Sequence, residues 1–278
     1  MANEDMRRYW NETAGAEWLA REIEFETALA PFRDELLRRA APARGEHALD
    51  VGCGFGPTTV TLADAVGPEG RVMGVDVSAP LLQRARDRAA AAGVTNIIWR
   101  EDDVQVAALP ARHFDLVVSR FGVMFFDDPV AAFANIRSAT KPGGRLHFAC
   151  WQSADRNPWY TLAGRVLAAY IEVPDAPSGG PGPFAFADAT LVAKVLADAG
   201  WRSVSIDSFE PLMVEGAGAG ADRVVHHMVR GPMAAALAAA PEQDRASGLA
   251  ALRRAIEEHT VDGEARFPTA AWLVAAGP

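Results

Sequence analysis

The chain has 278 residues, half of them apolar, and a net charge of −9. That size supports one large domain or one domain with a cap. The negative balance argues against a broad nucleic-acid surface, which needs clustered Lys and Arg.

No run of about 18 apolar residues is present, so no membrane span is expected. Met1 to Arg8 is polar and lacks the apolar centre of a secretion signal. Cys53 and Cys150 are the only cysteines. They make no disulfide framework, and a reducing, cytoplasmic location is expected.

Residues 5–40 read as helical, because Trp10, Ala14, Trp18, then Phe25, Leu29, Phe32 and Leu36 recur near helical spacing. Pro31 is expected to interrupt this run and begin a second helix. Tyr9, Trp10 and Trp18 form an aromatic cluster that fits either packing on a sheet or a flap over a ligand.

Strands and helices then alternate. The strands are His47 to Val51, Arg71 to Asp76, Ile97 to Arg100, Phe114 to Ser119 and Arg145 to Trp151. Between them lie helices at Thr58 to Ala65, Pro80 to Ala92 and Pro129 to Thr140. Such repeats build a parallel sheet covered on both faces, with ligands beyond the C-terminal strand ends.

Ser178 to Pro183 reads as loop, and Asp188 to Ala199 as a capped amphipathic helix. Val204 to Val214 reads as a strand, Gly216 to Gly220 as a break, Asp222 to His259 as two or three helices, and Ala270 to Ala276 as a last strand. A strand, a helical insert and a returning strand predict an antiparallel edge hairpin with the insert as a cap. The expected division is 1–44 helical, 45–212 with 268–278 as the sheet domain, and 213–267 as the cap.

The stretch Leu49-Asp50-Val51-Gly52-Cys53-Gly54-Phe55-Gly56-Pro57 runs from buried strand through a tight turn into a helix. Glycines let the backbone approach a ligand closely, and the helix start offers free N–H groups. Pro57 stands where a dinucleotide fingerprint has its third glycine, and no lysine follows to make a P-loop. Cys53, without a base, is expected to contribute backbone only.

Asp76 ends the second strand, where a carboxylate accepts from a ribose diol; Ser78 is expected to cap the next helix. Asp103, ahead of Asp102, suits an adenine amino group, with the Val104 N–H for a ring nitrogen. The Ser119 carbonyl or side chain is placed to meet an ammonium group. Arg120 suits a carboxylate of cofactor or substrate, or equally an ion pair with Asp127, Asp128 or Glu12. His47, His113 and His147 lie at the wrong end or inside strands and read as structural. His226 and His227 point apart on a helix and do not chelate, and no metal-ligand spacing is present.

Taken together, five segments resemble the class I S-adenosylmethionine-dependent methyltransferases over roughly residues 45 to 152. They are Leu49 to Gly56, Val75-Asp76-Val77-Ser78, Asp103-Val104-Gln105, Leu109-Pro110 with His113 to Ser119, and Lys141-Pro142-Gly143-Gly144-Arg145-Leu146. Ser119-Arg120-Phe121-Gly122 and Tyr9-Trp10-Asn11 further resemble bacterial small-molecule members near the ubiquinone/menaquinone-biosynthesis type.

The resemblance implies a Rossmann-like α/β fold: a mostly parallel seven-stranded sheet with a reversed edge strand. It implies S-adenosylmethionine as cofactor, with Gly52, Cys53 and Gly54 under its methionine part. Asp50 would steady the loop or the cofactor ammonium, and Asp76 would hold the ribose with Val77 against adenine. Asp103 and Val104 would meet the adenine edge, and Ser119 and Arg120 the methionine end.

The Asn/Asp-Pro-Pro-Tyr signature of amino-methylating DNA and glutamine enzymes is absent. The expected reaction is in-line methyl transfer to a small apolar or aromatic acceptor held by Tyr9, Arg120, Phe125, Trp151, Trp159 and His226. The competing readings are a non-catalytic cofactor-binding regulator and a nicotinamide oxidoreductase.

Overall fold

Strand β1 (His47–Val51) is the centre of the sheet, and its pleat sets the layers. Ala48 and Asp50 face one side, where Leu62, Ala63 and Val66 of α4 (Pro57–Val66) pack with Leu37 and Ala40 of α3 (Glu22–Ala40). Leu49 and Val51 face the other side, in a larger core with Phe32, Phe133 and Phe148. The computed structural model describes residues 3–174, 179–216 and 220–278.

The remaining sheet strands are β2 (Arg71–Asp76), β3 (Ile97–Glu101), β4 (Phe114–Arg120), β5 (Thr140–Trp151), β6 (Arg202–Phe209) and β10 (Ala271–Gly277). Their spatial order is β3-β2-β1-β4-β5-β10-β6. β1 pairs in parallel with both β2 and β4, so the strand order reverses there and opens a crevice at the C-terminal ends. β10 runs antiparallel between β5 and β6. Helices α5 (Ala79–Ala91), α6 (Pro129–Ala139) and α8 (Ala189–Asp198) complete the flanking layers. Asp188 caps α8 by accepting from the Thr190 N–H at 2.8 Å.

The N-terminal segment departs from expectation. α1 (Glu4–Arg8), a π-helical turn over Tyr9–Thr13 and α2 (Ala14–Ala20) precede α3, and the break falls at Arg21 rather than at Pro31. Pro31 sits inside α3. The burial of Ala28, Leu29, Phe32, Leu36 and Leu37 outweighs the one hydrogen bond that proline removes.

The expected strand Val204 to Val214 is two strands. β6 ends at Phe209, and β7 (Leu212–Glu215) leaves for a separate antiparallel sheet with β9 (Glu264–Pro268) and β8 (Thr260–Val261). Pro211 lacks an N–H for the ladder. Its carbonyl accepts from both the backbone and the hydroxyl of Thr269, at 3.2 and 2.6 Å. Ser178 of the expected loop and residues 217–219 of the expected break lie outside the described residues.

Helices α9 (Ala221–Met228), α10 (Gly231–Ala239) and α11 (Glu242–Glu257) share an apolar core with the small sheet. α7 (Pro158–Leu167) belongs to the same core through Leu162 and Leu167 packed with Val224, Leu252, Ile256 and Phe267. This apolar cluster therefore includes a helix from outside residues 213–267, the segment expected as a cap. Asn157, fully buried, ties the start of α7 to β10 by reciprocal bonds of 3.1 Å with the Ala270 backbone.

Candidate functional site

A cavity of about 840 Å³ lies over the C-terminal ends of β1, β2 and β4, roofed by the N-terminal helices, residues 159 and 160, residues 179–185 and two side chains of β7. Its floor is the glycine turn. Gly52, Gly54 and Gly56 all have positive φ. A Cβ on Gly52 would stand 2.7 Å from the Gly122 Cα, so two backbones meet there with no room for a side chain. Nothing lies within 4 Å of where a Cβ on Gly54 would be. Pro57 opens α4, as its missing N–H allows.

Four carboxylates surround this floor. Asp50 is 1 % exposed and accepts from the Thr59 hydroxyl at 2.6 Å. Burial pushes its carboxyl up to about 6, against the pull of Thr59 and of the nearby Arg120 charge. Asp76 opens to the cavity and accepts from the Gly54 N–H at 2.7 Å and the Ser78 N–H at 2.9 Å. Burial raises its carboxyl, and those backbone donors oppose the rise. The tie from Asp76 to Gly54 joins the β2 tip to the glycine turn.

Asp102 is occupied by Arg100 at 2.6 Å. Asp103 accepts from the Gln105 N–H at 3.0 Å through Oδ1, while its buried Oδ2 has no hydrogen bond among the described residues. The Val104 N–H likewise has no partner among them. Among the described residues an acceptor and a donor thus stand side by side on the cavity wall with capacity to spare, although the nearby Asn3 side chain helps to hold the Asp103 carboxyl down against its burial.

Ser78 holds the N-cap position of α5, but its hydroxyl does not cap. It donates to the Trp10 carbonyl at 3.0 Å, and Asn11 Oδ1 accepts from the Ala79 N–H instead. The N-terminal segment therefore supplies the cap and is locked beside the β2 tip, with Asn11 also donating to the Val77 carbonyl at 2.9 Å.

Arg120 reaches the cavity and donates to the Leu29 carbonyl at 3.3 Å. Among the described residues it pairs with none of Asp127, Asp128 or Glu12. Ser119 does not line the cavity. It is fully buried, donates to the Val51 carbonyl at 2.7 Å and accepts from the Gly122 N–H at 3.2 Å. Its hydroxyl closes the loop against β1, because a strand's alternation turns it inward, which leaves the carbonyl as the group for the expected contact.

The upper wall is aromatic. Tyr9, Phe125, Trp151 and Trp159 line it, and Trp151 and Trp159 rings lie 5.1 Å apart. Phe121, which the sequence reading did not select, stacks on Trp151 at 4.2 Å with φ of 65°. A bulky residue there is a strained exception held by its surroundings. Trp18, Phe25, Tyr160, Phe184, Met213 and Glu215 also face the cavity. The available signal for Glu215 was its two-residue spacing from Met213 on one strand face.

His226 does not line the cavity, contrary to expectation. His227 turns inward, with Nε2 2.8 Å from Glu24 Oε2, and burial lowers it to about 4. His47 and His113 face one another at 3.1 Å at the opposite end of the sheet. Burial drives the Cys53 thiol upward, away from the thiolate form. Among the described residues no group of His, Cys, Asp and Glu is arranged to hold a metal ion, and no helix is long and apolar enough to cross a membrane.

Residues 48–144 match the family described as a methyltransferase domain, the same residues that carry the crevice. This segment is a class I S-adenosylmethionine-dependent methyltransferase domain. The methyltransferase domain is 36 % identical over 126 residues to aklanonic acid methyltransferase DauC of Streptomyces sp. (strain C5), covering 45 % of this chain and 56 % of that protein.

Over 113 residues it is 34 % identical to demethylmenaquinone methyltransferase of Geobacillus stearothermophilus, covering 41 % and 48 %. The chain thus spans about half the length of the curated relatives it matches.

Around the methyltransferase domain the fold is shared more widely. Phosphoethanolamine N-methyltransferase 2 of Haemonchus contortus, solved with S-adenosyl-L-methionine, superposes with a TM-score of 0.61 at 16 % identity, covering 98 % of this chain and 60 % of that one. The solved structure of BH2331 from Bacillus halodurans C-125 has a TM-score of 0.58 at 16 % identity, covering 88 % and 97 %. At such identity the likeness is one of fold.

Proposed function

We propose that this protein moves a methyl group from S-adenosylmethionine to a small apolar or aromatic acceptor. One observation carries the reading: the unpaired Asp103 Oδ2 and Val104 N–H stand in the same cavity as the Asp76 carboxylate, beneath an aromatic wall. A carboxylate oxygen and an adjacent N–H complement the amino group and ring nitrogen of adenine. Asp76 complements a ribose diol, with Val77 against the base. Gly52, Cys53 and Gly54 leave room for the methionine part, and Asp50 braces their turn through Thr59. Arg120, which among the described residues donates to a backbone carbonyl, complements a carboxylate.

When bound, S-adenosylmethionine supplies a methyl already activated by positive sulfur. The chain's own task is then to align acceptor and donor and to exclude water. Tyr9, Phe125, Trp151 and Trp159 do this for an apolar or aromatic acceptor. Two relatives are named for aklanonic acid and demethylmenaquinone, which supports a small-molecule acceptor.

Calorimetric titration tests the reading. S-adenosylmethionine is expected to bind and NAD(P)H is not, since Pro57 replaces the third glycine of the pyrophosphate turn. Binding of NAD(P)H alone would overturn it. Tight S-adenosylmethionine binding with no labelled methyl passed to any acceptor in a broad screen would make the protein a regulator instead.

A further inference from the structure

Three carboxylates on the floor, Asp50, Asp76 and Asp102, are held by hydroxyl, backbone or guanidinium partners, and Asp103 is held through one oxygen. Glu215 is different. It comes from the cap side, on the same face of β7 as Met213, and its side chain is 16 % exposed, toward the cavity. It accepts no hydrogen bond among the described residues. Its nearest cation, Arg21, lies at 3.9 Å and is already bonded to Glu24 at 2.7 Å.

The other charges near it are committed as well. Arg230 pairs with Glu17, and Arg223 with Glu24 at 2.6 Å. His227 lies against Glu24, and on the neighbouring strand β9 Glu264 and Arg266 pair at 2.8 Å. Glu215 is therefore a carboxylate with open acceptor capacity in an aromatic chamber, the arrangement that recognises a hydroxyl or amine on an apolar ring.

We propose that Glu215 is the acceptor-side catalytic residue, binding the O–H or N–H of an aromatic acceptor and taking its proton. This rests on the methyl-transfer reading. For a hydroxyl acceptor, the O–H bond breaks toward Glu215 and its electron pair stays on oxygen. That pair forms the new C–O bond as the C–S bond of the sulfonium donor breaks and its pair returns to sulfur. Glu215 then releases the proton to water. Burial raises the Glu215 carboxyl to about 7, opposed by Arg21, so it changes charge where a general base is most useful.

The test uses 2-naphthol and its blocked counterpart 2-methoxynaphthalene as probes of the full chain, read by fluorescence at several pH values. Wild type is expected to prefer the naphthol about tenfold, with the preference changing between about pH 6 and pH 8. In Glu215→Gln, whose Oε1 still accepts a hydrogen bond, the pH dependence should vanish, while Glu215→Asp should restore part of it. S-adenosylmethionine affinity, measured on the same preparations, reports folding and should be equal in all three.

A Gln variant that keeps the pH profile overturns the proposal, as does a wild type that ignores the hydroxyl. Failure of wild type to bind S-adenosylmethionine would sink the methyl-transfer reading itself, which separates the two failures.

Discussion

The floor and the roof of the cavity are built on different principles. On the floor, each carboxylate is fixed by a partner in the turns and helix starts that follow the strands. Asp76 is held by two backbone N–H groups, Asp50 by Thr59, and the glycine turn by Val75, whose carbonyl accepts from both Gly52 and Cys53. The roof is assembled from α2, α3, α7 and β7, which are far apart in sequence and pack through aromatic rings, while the Arg223–Glu24 ion pair ties α9 to α3 behind them. A rigid floor suits a ligand whose shape does not vary, whereas a composite roof lets the acceptor differ while the floor stays constant.

The largest effect should come from disturbing the floor itself. Gly52→Ala sets a side chain against Gly122 at positive φ, and a loss of about 3 kcal/mol of stability is expected from denaturant unfolding. An unchanged midpoint would mean the two backbones are free to separate.

A comparable effect of opposite sign is expected in the roof. Because Glu215 is raised in the folded state, its stabilisation is complete below the ordinary carboxylate range and is lost as pH climbs through about 7. Glu215→Gln should therefore raise stability at pH 8 by up to about 3 kcal/mol and change it little at pH 4. Equal melting shifts at both pH values would rule out the buried charge.

Smaller effects sharpen the division. Asp76→Ala should weaken S-adenosylmethionine by about 1.5–3 kcal/mol in calorimetry, and unimpaired binding would remove the ribose role. Trp159→Ala should cost 2-naphthol about 1 kcal/mol of affinity and leave S-adenosylmethionine untouched; joint loss would show that floor and roof are coupled. Smallest is His226→Ala, which stands off the cavity and should alter stability by less than about 0.5 kcal/mol and neither ligand's affinity.

The sheet was legible because its signals are local. Val51 to Pro57 carries strand, turn and helix start within seven residues, and Asp76 and Asp103 end strands whose apolar runs mark them. The Pro31 and Val204 to Val214 readings went astray because packing overrode proline in one case and proline redirected a strand in the other. Ser119 and His226 look alike functional in one dimension, yet pleat and helix phase turn both away from the cavity.

The sequence by itself determined the parallel sheet, the glycine turn and the strand-end carboxylates, since each follows from short-range pattern and backbone geometry. Only the tertiary structure decided which aromatics enclose the cavity, that Asn11 rather than Ser78 caps α5, and that Glu215 faces an open chamber. Those depend on segments up to two hundred residues apart coming together, which no local propensity encodes.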